Sequence, residues 1–511
     1  MSELDAPTRA VLADQGWRRL HRITPVLKAW KVLAVGLVLL AQQGLDDLLR
    51  ARLPGWLLLV SVLGGLVLLA LVGAGWSAVA WRRTRYRIDD EAVRLEQGVF
   101  WRQARSAQLD RLQAVDVVRP LLGRIFGLAE LQLEVAGGTG SRMSLAYLTE
   151  AEAQRVRNAL LAAAAGVRVE AGQEVPEAPQ RAVAEVPPGR LVASTLASGW
   201  TLLALLVVAG AVVAVVWTRS LAPLTGIAAP AIGLVSVVWQ RFSNGFGFSV
   251  AESPDGLRLR HGLLTQRAQT VPPGRVQALR ISQPLLWRRA GWWTVSVNVA
   301  GYAGSGSSGE EGTRGTVLLP VGTTEDLGRV LAVVLPGIGL HEVVPESGAA
   351  VDASAPASGE QRRSADVLRA GLHGTGTDGG FTPAPRPARW LDPVAWRRHG
   401  FLVTDGALLA RSGRLVRSLV VVPNERTQSL GLRQGPVQRR LGLASFLLHS
   451  TPGPVTPRVD HLDAQVAAAL LEEQGRRSRA ARAAAGPERW MRSPHRPSVA
   501  PAPPGDGAQR D

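Results

Sequence analysis

The sequence writes one pattern three times, and this repetition constrains the fold more than any other feature. The pattern Arg-x-Gln-[Ala/Ser]-[Val/Leu] starts at Arg111, Arg275 and Arg426, and its glutamines are Gln113, Gln277 and Gln428. Thirteen residues before each arginine stands a glycine: Gly98, Gly262 and Gly413. Internal repetition of this kind decides the architecture before any local assignment, so we predict three copies of one module.

A second shared phrase follows each arginine. It opens at a proline and closes at a glycine: Pro120 to Gly127, Pro284 to Gly291, and Pro436 to Gly442. Each phrase also carries arginine, as Arg124, as Arg288 with Arg289, and as Arg439 with Arg440. We call this stretch the proline phrase.

Long uncharged stretches predict that the chain enters a membrane. Residues 55–81 and 191–217 contain no formal charge and are long enough to cross a hydrocarbon core of roughly 30 Å. Residues 26–45 and 222–240 are weaker apolar stretches. We predict two helical hairpins and four spans, with the alternative that a weak member of each pair is an interfacial or buried helix.

Basic residues predict the orientation of these hairpins. Arginine clusters outside each hairpin, as at Arg82, Arg83, Arg85 and Arg87, whereas the hairpin tips carry little of it. Because Lys and Arg near span ends favour the cytoplasmic side, both termini and all three modules are predicted to be cytoplasmic. No cleavable signal peptide is expected, because the first 25 residues are polar and charged.

The chain then divides into alternating membrane and module segments. The predicted order is an N-terminal segment (1–25), hairpin 1 (26–81), module 1 (82–166), a linker (167–189), hairpin 2 (190–240), module 2 (241–337), a disordered linker (338–389), module 3 (390–474) and a disordered basic tail (475–511). Module 3 has no hairpin before it. The linkers are rich in Gly, Ala, Ser and Pro, which is typical of flexible tethers.

Each module reads as short strands followed by one helix. Two-residue alternation in 131–135 and 295–299 predicts half-buried antiparallel strands, and 445–449 is a weaker third version. The closing helices begin at predicted N-caps Thr149, Thr323 and Asp460, each followed three residues later by an acid. Six or seven strands and a helix in about 85 residues fit an α+β membrane protein with three small barrels or sandwiches.

The hairpin–module order, the Arg-x-Gln pattern and the proline phrase resemble the bacterial pleckstrin-homology-like (bPH2, YdbS/YdbT-like) membrane proteins. The resemblance implies a pleckstrin-homology-like barrel with a C-terminal helix for each module. It covers the paired spans and, most clearly, residues 110–165, 274–332 and 425–472.

A search for catalytic motifs is negative. The eight histidines form no close ligand pair along the sequence, and no metal-protease, phosphate-loop or serine-elbow motif occurs. The chain has no cysteine, which excludes disulfides and thiolate metal sites. We therefore expect no enzyme activity, no catalytic residues, no cofactor and no metal.

The repeated arginines of the Arg-x-Gln pattern leave two interpretations open. They could line a pocket for a phosphate or a peptide carboxylate. Alternatively, the arginine and the glutamine could both form hydrogen bonds to strand carbonyls and so fix the connection between two strands. The neighbouring glutamine and small residue favour the structural role. We therefore interpret the glycines, Arg-x-Gln residues and prolines of the repeat as a signature of the fold.

A net charge of +17, mostly from arginine, predicts partners that carry phosphate. The expected contacts with anionic lipid are Arg82, Arg83, Arg85, Arg87, Arg124, Arg288, Arg289, Arg439 and Arg440. The sequence predicts a non-enzymatic scaffold at the anionic inner leaflet that binds lipid head groups or partner proteins. An accessory role in transport or envelope stress, and nucleic-acid contact through the basic tail, are alternatives.

Overall fold

The computed structural model describes residues 17–19, 55–89, 92–98, 101–109, 112–135, 142–164, 181–220, 222–253, 256–271, 273–300, 316–335, 359–451 and 453–484. The predicted first span, 26–45, lies outside these residues, as do most of the first linker and the tail beyond 484.

Module 1 contains β1 (Arg18–Arg19), α1 (Gly55–Arg82), β2 (Arg85–Ile88), β3 (Ala92–Gln97), β4 (Gln103–Gln108), β5 (Leu112–Pro120), α2 (Leu121–Ile125), β6 (Leu128–Val135), β7 (Arg142–Thr149) and α3 (Glu150–Ala164).

Module 2 contains β8 (Arg181–Glu185), α4 (Pro188–Leu196), α5 (Gly199–Thr218), α6 (Ala222–Gly245), β9 (Ser249–Ser253), β10 (Gly256–His261), β11 (Thr265–Val271), β12 (Val276–Pro284), β13 (Trp293–Val299), β14 (Thr316–Gly322) and α7 (Thr324–Val334).

Module 3 contains α8 (Gly359–His373), β15 (Thr382–Pro383), β16 (Gly400–Val403), β17 (Ala407–Ser412), β18 (Val416–Pro423), β19 (Ser429–Arg433), α9 (Pro436–Arg440), β20 (Leu443–His449), β21 (Arg458–Asp463) and α10 (Ala464–Ala484). Short 3₁₀ turns connect β11 to β12 and β18 to β19.

The sheets are shared between modules. The strand orders are β1-β2-β3-β4, then β7-β6-β5-β11-β10-β9-β8, then β14-β13-β12-β18-β17-β16-β15, and finally β19-β20-β21. Every pairing is antiparallel, and the last three strands of one module continue into the first four of the next. The three modules therefore form one continuous row.

The distribution of the hydrophobic core reflects the sheets that the modules share. One buried cluster belongs to module 1 and another to module 3. The largest joins module 2 to the inner face of module 3, from Leu279 and Trp293 to Leu409 and Leu419. Burial of apolar surface thus holds modules 2 and 3 together as one body.

The long apolar helices are inserted inside modules. Strand β8 precedes the helices α4, α5 and α6, and β9, which pairs with β8, follows them. The same order places β1 before α1 and β2 after it. The sequence prediction that each hairpin precedes a complete module is therefore wrong.

Three predicted segments differ in the structure. The linker 167–189 contains β8, the disordered linker 338–389 contains α8 and β15, and the basic tail begins within α10, which runs to Ala484. The short strands escape sequence detection because two to five residues carry little periodicity. Leu368 and Leu372 of α8 are buried against module 3, so this segment is a packed helix.

Two helix assignments also need correction. The uncharged run 191–217 is broken after α4, and Ser198 caps α5 by accepting a hydrogen bond from the Thr201 backbone N–H at 3.2 Å. The last helix starts at Ala464, where Asp463 accepts from the Gln465 N–H at 2.9 Å, while the predicted cap Asp460 lies in β21. Thr323 forms a reciprocal capping box with Asp326.

Among the residues that the structure describes, two helices are long and apolar enough to cross a membrane, over Leu63–Arg82 in α1 and Gly199–Thr218 in α5. Their side chains are largely exposed, with Trp217 86% exposed at the end of α5. Helix α6 contains Pro230 and packs against α5 as the second arm of a hairpin. Exposed apolar surface of this extent is what a lipid environment accommodates.

Candidate membrane-contact rim

The proline phrase is a sharp corner between two strands. Pro120 and Pro284 end long strands, and Pro436 opens α9, so that each proline starts one short helical turn. The closing glycines, Gly127, Gly291 and Gly442, have φ values of 64°, 65° and 66°. This left-handed conformation is free of strain only for glycine, which explains the spacing of the phrase.

The glycine thirteen residues before each arginine begins a tight hairpin turn. Gly98, Gly262 and Gly413 have φ values of 127°, 114° and 73°. A Cβ on these residues would lie 1.9 or 2.0 Å from the carbonyl oxygen three residues later. No other residue fits, so we call these features the glycine turns.

The first and second proline phrases each meet the glycine turn of the next module. Pro120 lies opposite Thr265 across the β5–β11 pair, and Pro284 lies opposite Val416 across the β12–β18 pair. Both facing residues stand three positions after their glycine. The proline phrase and the glycine turn therefore lie side by side at each junction.

An arginine of the phrase bonds across this contact. Arg124 donates from Nη1 to the Leu263 carbonyl oxygen at 3.2 Å. Arg288 donates from Nη2 to the carbonyl oxygens of Arg414 and Leu415, the latter at 3.3 Å. Two predicted lipid contacts thus also join modules, a role that sequence reasoning missed.

The second glycine turn and the second proline phrase lie at the base of the hairpin that α5 and α6 form. The backbone N–H of Gly262 donates to the Phe246 carbonyl, and that of Leu263 to the Ser243 carbonyl, both at 2.8 Å. Trp287, in the second phrase, is buried and donates from Nε1 to the Ser194 carbonyl of α4 at 3.0 Å. Turn and phrase therefore approach the helices that lead into the hairpin.

Exposed apolar side chains alternate with arginines along this edge. The apolar members are Trp101, Leu121, Ile125, Phe126, Leu264, Leu285, Leu286, Leu415, Val416 and Val437. The basic members are Arg102, Arg124, Arg288, Arg289, Arg414, Arg417, Arg439 and Arg440. We define the rim as the three glycine turns and the three proline phrases that carry these residues. Apolar groups flanked by cations suit the interface between acyl chains and anionic head groups.

The juxtamembrane arginines lie where α1 meets the first sheet. Arg82 ends α1, and Arg85 and Arg87 face outward from β2, whose Tyr86 and Ile88 are buried. Arg87 forms an ion pair with Asp89. The exposed heads of Arg82, Arg83 and Arg85 surround the point where the chain leaves α1.

The Arg-x-Gln residues lie elsewhere, at the connection between the two sheets of a module. Arg275 is in the 3₁₀ turn before β12, and Gln277 is buried within that strand. Arg426 forms an ion pair with Glu425 at 3.1 Å, and the exposed Gln428 donates its backbone N–H to His449. Arg111 lies outside the described residues, and Gln113 lies in β5. The phosphate-pocket interpretation stays a prediction.

A buried pair of arginines was not predicted from the sequence. Arg398 donates to the carbonyl oxygens of Gly371, Leu372 and Gly374, and Arg411 to those of Ala370 and Asp378, at the C-terminus of α8. Burial, reinforced by Arg417, Arg411 and Arg288, lowers the pKa of Arg398 to about 10. The guanidinium groups satisfy helix-end carbonyls that have no partner within the helix.

Among the described residues, no group of three or more His, Asp or Glu side chains could hold a metal ion.

Comparison with known sequences identifies relatives. A sequence profile of the bacterial PH domain matches residues 36–164, 198–334 and 376–478. The UPF0699 transmembrane protein YdbT of Bacillus subtilis (strain 168) is 26% identical over 313 residues, which are 54% of this chain and 61% of that protein. The match thus spans about three fifths of that relative's length. No solved structure matches the chain.

Proposed function

Because the chain belongs to the bacterial PH domain family, we propose that it is a membrane scaffold whose rim lies on an anionic leaflet. The chain is a membrane protein with repeated PH-like domains. The proposal adds four spans, cytoplasmic modules and direct contact of the rim with lipid head groups. It assigns the protein no chemical reaction.

The observation that carries this proposal is the composition and position of the rim. Arg414 and Arg417 flank the exposed Leu415 and Val416 in the third glycine turn, and Trp101 is 82% exposed near the first. The second turn and phrase contact the base of hairpin 2 through Phe246 and Ser194. A surface that adjoins the membrane entry meets lipid without any further movement.

Electrostatics gives the contact its lipid preference. Each basic residue near an anionic surface adds about 1 kcal/mol of attraction. The rim lines up such residues over all three modules, and the juxtamembrane group Arg82, Arg83 and Arg85 adds to them. We infer that module 3, which has no hairpin among its described residues, is held at the bilayer through the rim and through module 2.

The absence of cysteine from the chain makes a direct test simple. Leu415→Cys, labelled with a polarity-sensitive fluorophore, is placed in lipid nanodiscs with either anionic or zwitterionic lipid. We expect a blue-shifted, quencher-protected signal in anionic lipid, reduced by high salt because exposed charge attraction is screened.

Asp405→Cys is the matched control. Asp405 is fully exposed in the turn before β17, at the opposite end of that strand from Gly413. A strand of this length separates the two labels by about 20 Å. Equal spectra for the Leu415 and Asp405 labels in both lipids would refute contact of the rim with the membrane.

A further inference from the structure

Each junction between modules joins two particular edges. The first strand of the second sheet in one module, β5 or β12, pairs with the last strand of the first sheet in the next module, β11 or β18. The chain makes this same pairing twice. It therefore encodes a repeatable interface.

One edge of each kind is left at the two ends of the row. Strand β19 of module 3 corresponds to β5 and β12, and it is the edge of its sheet. Strand β4 of module 1 corresponds to β11 and β18, and it too is a sheet edge. Within the described part of the chain, neither strand has a partner on its outer side.

We propose that β19 of one chain pairs with β4 of a second copy, so that the protein assembles head to tail. Both known junctions place the proline of the phrase opposite the residue three positions after the glycine. In module 3 the equivalent residue is Gly435, which stands directly before its short helix as Pro120 and Pro284 stand before theirs. The same register therefore sets Gly435 opposite Trp101, Arg433 opposite Gln103 and Ser429 opposite Ala107. The overlap spans the whole of β19 and nearly all of β4.

The side chains of the two edges are compatible. Strand β4 is exposed apart from Ala107, and β19 ends in the exposed Leu432 and Arg433. In the proposed register Arg105 faces Gly431 and Arg433 faces Gln103, so no like charges lie directly opposite. Neither strand contains an acidic residue or an internal proline. Long exposed edges of this kind are usually covered or blunted.

The arginine bond between modules also has its counterpart. Arg124 and Arg288 each reach the glycine turn of the following module. Arg439 and Arg440 occupy this part of the third phrase and are exposed. In the assembly they donate to the turn that Gly98 begins in the second copy.

Continuity with the existing junctions identifies a second copy as the occupant. A third junction of the same geometry keeps every rim along the same edge of the row, so that the hairpins of both copies enter one bilayer. Such a head-to-tail interface is heterologous, and it closes into a ring or extends as a chain according to the rotation at each step.

Cysteine pairs test the proposal in the full-length protein in membranes. The pairs Gln103→Cys with Arg433→Cys, and Ala104→Cys with Leu432→Cys, are in register, and Ala104→Cys with Ser429→Cys is the out-of-register control. After oxidation with copper phenanthroline, we expect disulfide-linked dimers and higher multiples from at least one in-register pair. Directly opposite Cβ atoms lie about 4.5–5.5 Å apart, within reach of a disulfide after small adjustment.

Two further samples define the contact. Co-expression of a chain carrying only Gln103→Cys with one carrying only Arg433→Cys should give dimers alone, and an excess of cysteine-free chain should reduce all cross-linked species. Monomer after oxidation of both in-register pairs, a disulfide within one chain, or equal cross-linking of the control pair would overturn the proposal. None of these readouts depends on lipid charge, so failure here is separable from failure of the rim as a lipid contact.

Discussion

The junction between modules 1 and 2 is smaller than the junction between modules 2 and 3. At the junction of modules 1 and 2, residues 117–120 pair with 265–268. At the junction of modules 2 and 3, residues 279–284 pair with 416–421, and a loop from module 3 covers the pair. The second junction also shares a single buried cluster, whereas the cluster of module 1 reaches module 2 only at Ala268.

The difference corresponds to the position of the long apolar helices. Module 1 has a membrane helix of its own, and module 3 has none in the described residues. A module with its own anchor is kept near its neighbour by the bilayer. A module without one needs a stronger interface, and the junction of modules 2 and 3 supplies it.

The largest expected effect is at Asn298, which fastens the covering loop. Its Nδ2 donates to the carbonyls of Val455 at 2.6 Å and Thr451 at 3.2 Å, and its Oδ1 accepts from the Val455 N–H at 2.9 Å. Asn298→Ala leaves buried backbone groups without partners. We expect the opening free energy of the junction to fall by about 2–4 kcal/mol, since each such group costs about 1–3 kcal/mol.

Hydrogen exchange of the amides in β12 and β18 measures this opening. The exchange of β5 and β11 serves as the internal control, because the first junction lies outside the reach of Asn298. Unchanged protection in β12 and β18 would show that the loop adds nothing to the junction.

The next largest effect is expected at Arg157, in the smaller junction between modules 1 and 2. This residue of α3 is buried, and it donates from Nη2 to Thr270 Oγ1 at 2.8 Å and from Nε to the Val115 carbonyl at 3.4 Å. Arg157→Met keeps much of the volume and removes these bonds. We expect exchange at 117–120 and 265–268 to rise, for a loss of about 1–3 kcal/mol.

For Arg157→Met, the amides of β12 and β18 should stay as protected as in the unmodified protein. A loss of protection at both junctions together would mean that the row opens as one unit.

A smaller effect distinguishes the two arginines that reach glycine turns. Arg124 bonds to one carbonyl and Arg288 to two. We expect Arg288→Ala to cost about 1–2 kcal/mol and Arg124→Ala about 1 kcal/mol, at one net hydrogen bond of about 1 kcal/mol each. Proteolysis rates in detergent compare the pair, and an effect of Arg124→Ala equal to that of Arg288→Ala would contradict the ranking.

The smallest expected effect is a pH dependence at the second junction. Burial lowers the pKa of His373, and Arg417, Arg398 and Arg369 lower it further. The ring packs edge-on against Trp293 with centroids 5.4 Å apart. Because the unfolded state has the ordinary histidine pKa of about 6.5, it binds the proton first, and stability is lost as pH falls below that value.

The variant His373→Gln should flatten this acid loss in β12 and β18. Its effect on β5 and β11 should be nil, since His261, whose pKa burial also lowers, belongs to the other junction. An acid loss that persists unchanged in the variant would assign it to other groups.

Because the module is repeated, much of the fold could be predicted from the sequence. The pairing of strands between modules could not. The glycine turns and proline corners were visible because their backbone angles demand Gly at fixed spacing. Strand β8 and helix α8 were hidden in stretches rich in Ala, Gly and Pro, where burial by another module decides the structure. Periodicity reports which face is buried, but it carries no information on which module supplies the covering strand.

The basic composition of the rim could be predicted from the sequence, but the role of its arginines in joining modules could not. The arginines of the proline phrase were correctly noticed as a repeated feature, and the bonds from Arg124 and Arg288 to a neighbouring turn require knowledge of the row. Asn298 and Arg157 carry no motif. The sequence signal for Asn298 is that it is a polar residue within the alternating strand 293–299.

The insertion of the hairpin between β8 and β9 has a consequence for biosynthesis. As the chain emerges from the ribosome, β8 appears first and its partner β9 only after α4, α5 and α6. In the proposed topology, the sheet of module 2 closes only after those helices have entered the membrane and returned the chain to the same side. Completion of that sheet thus reports successful insertion, and a chain that fails to insert exposes an unclosed sheet to quality-control proteases.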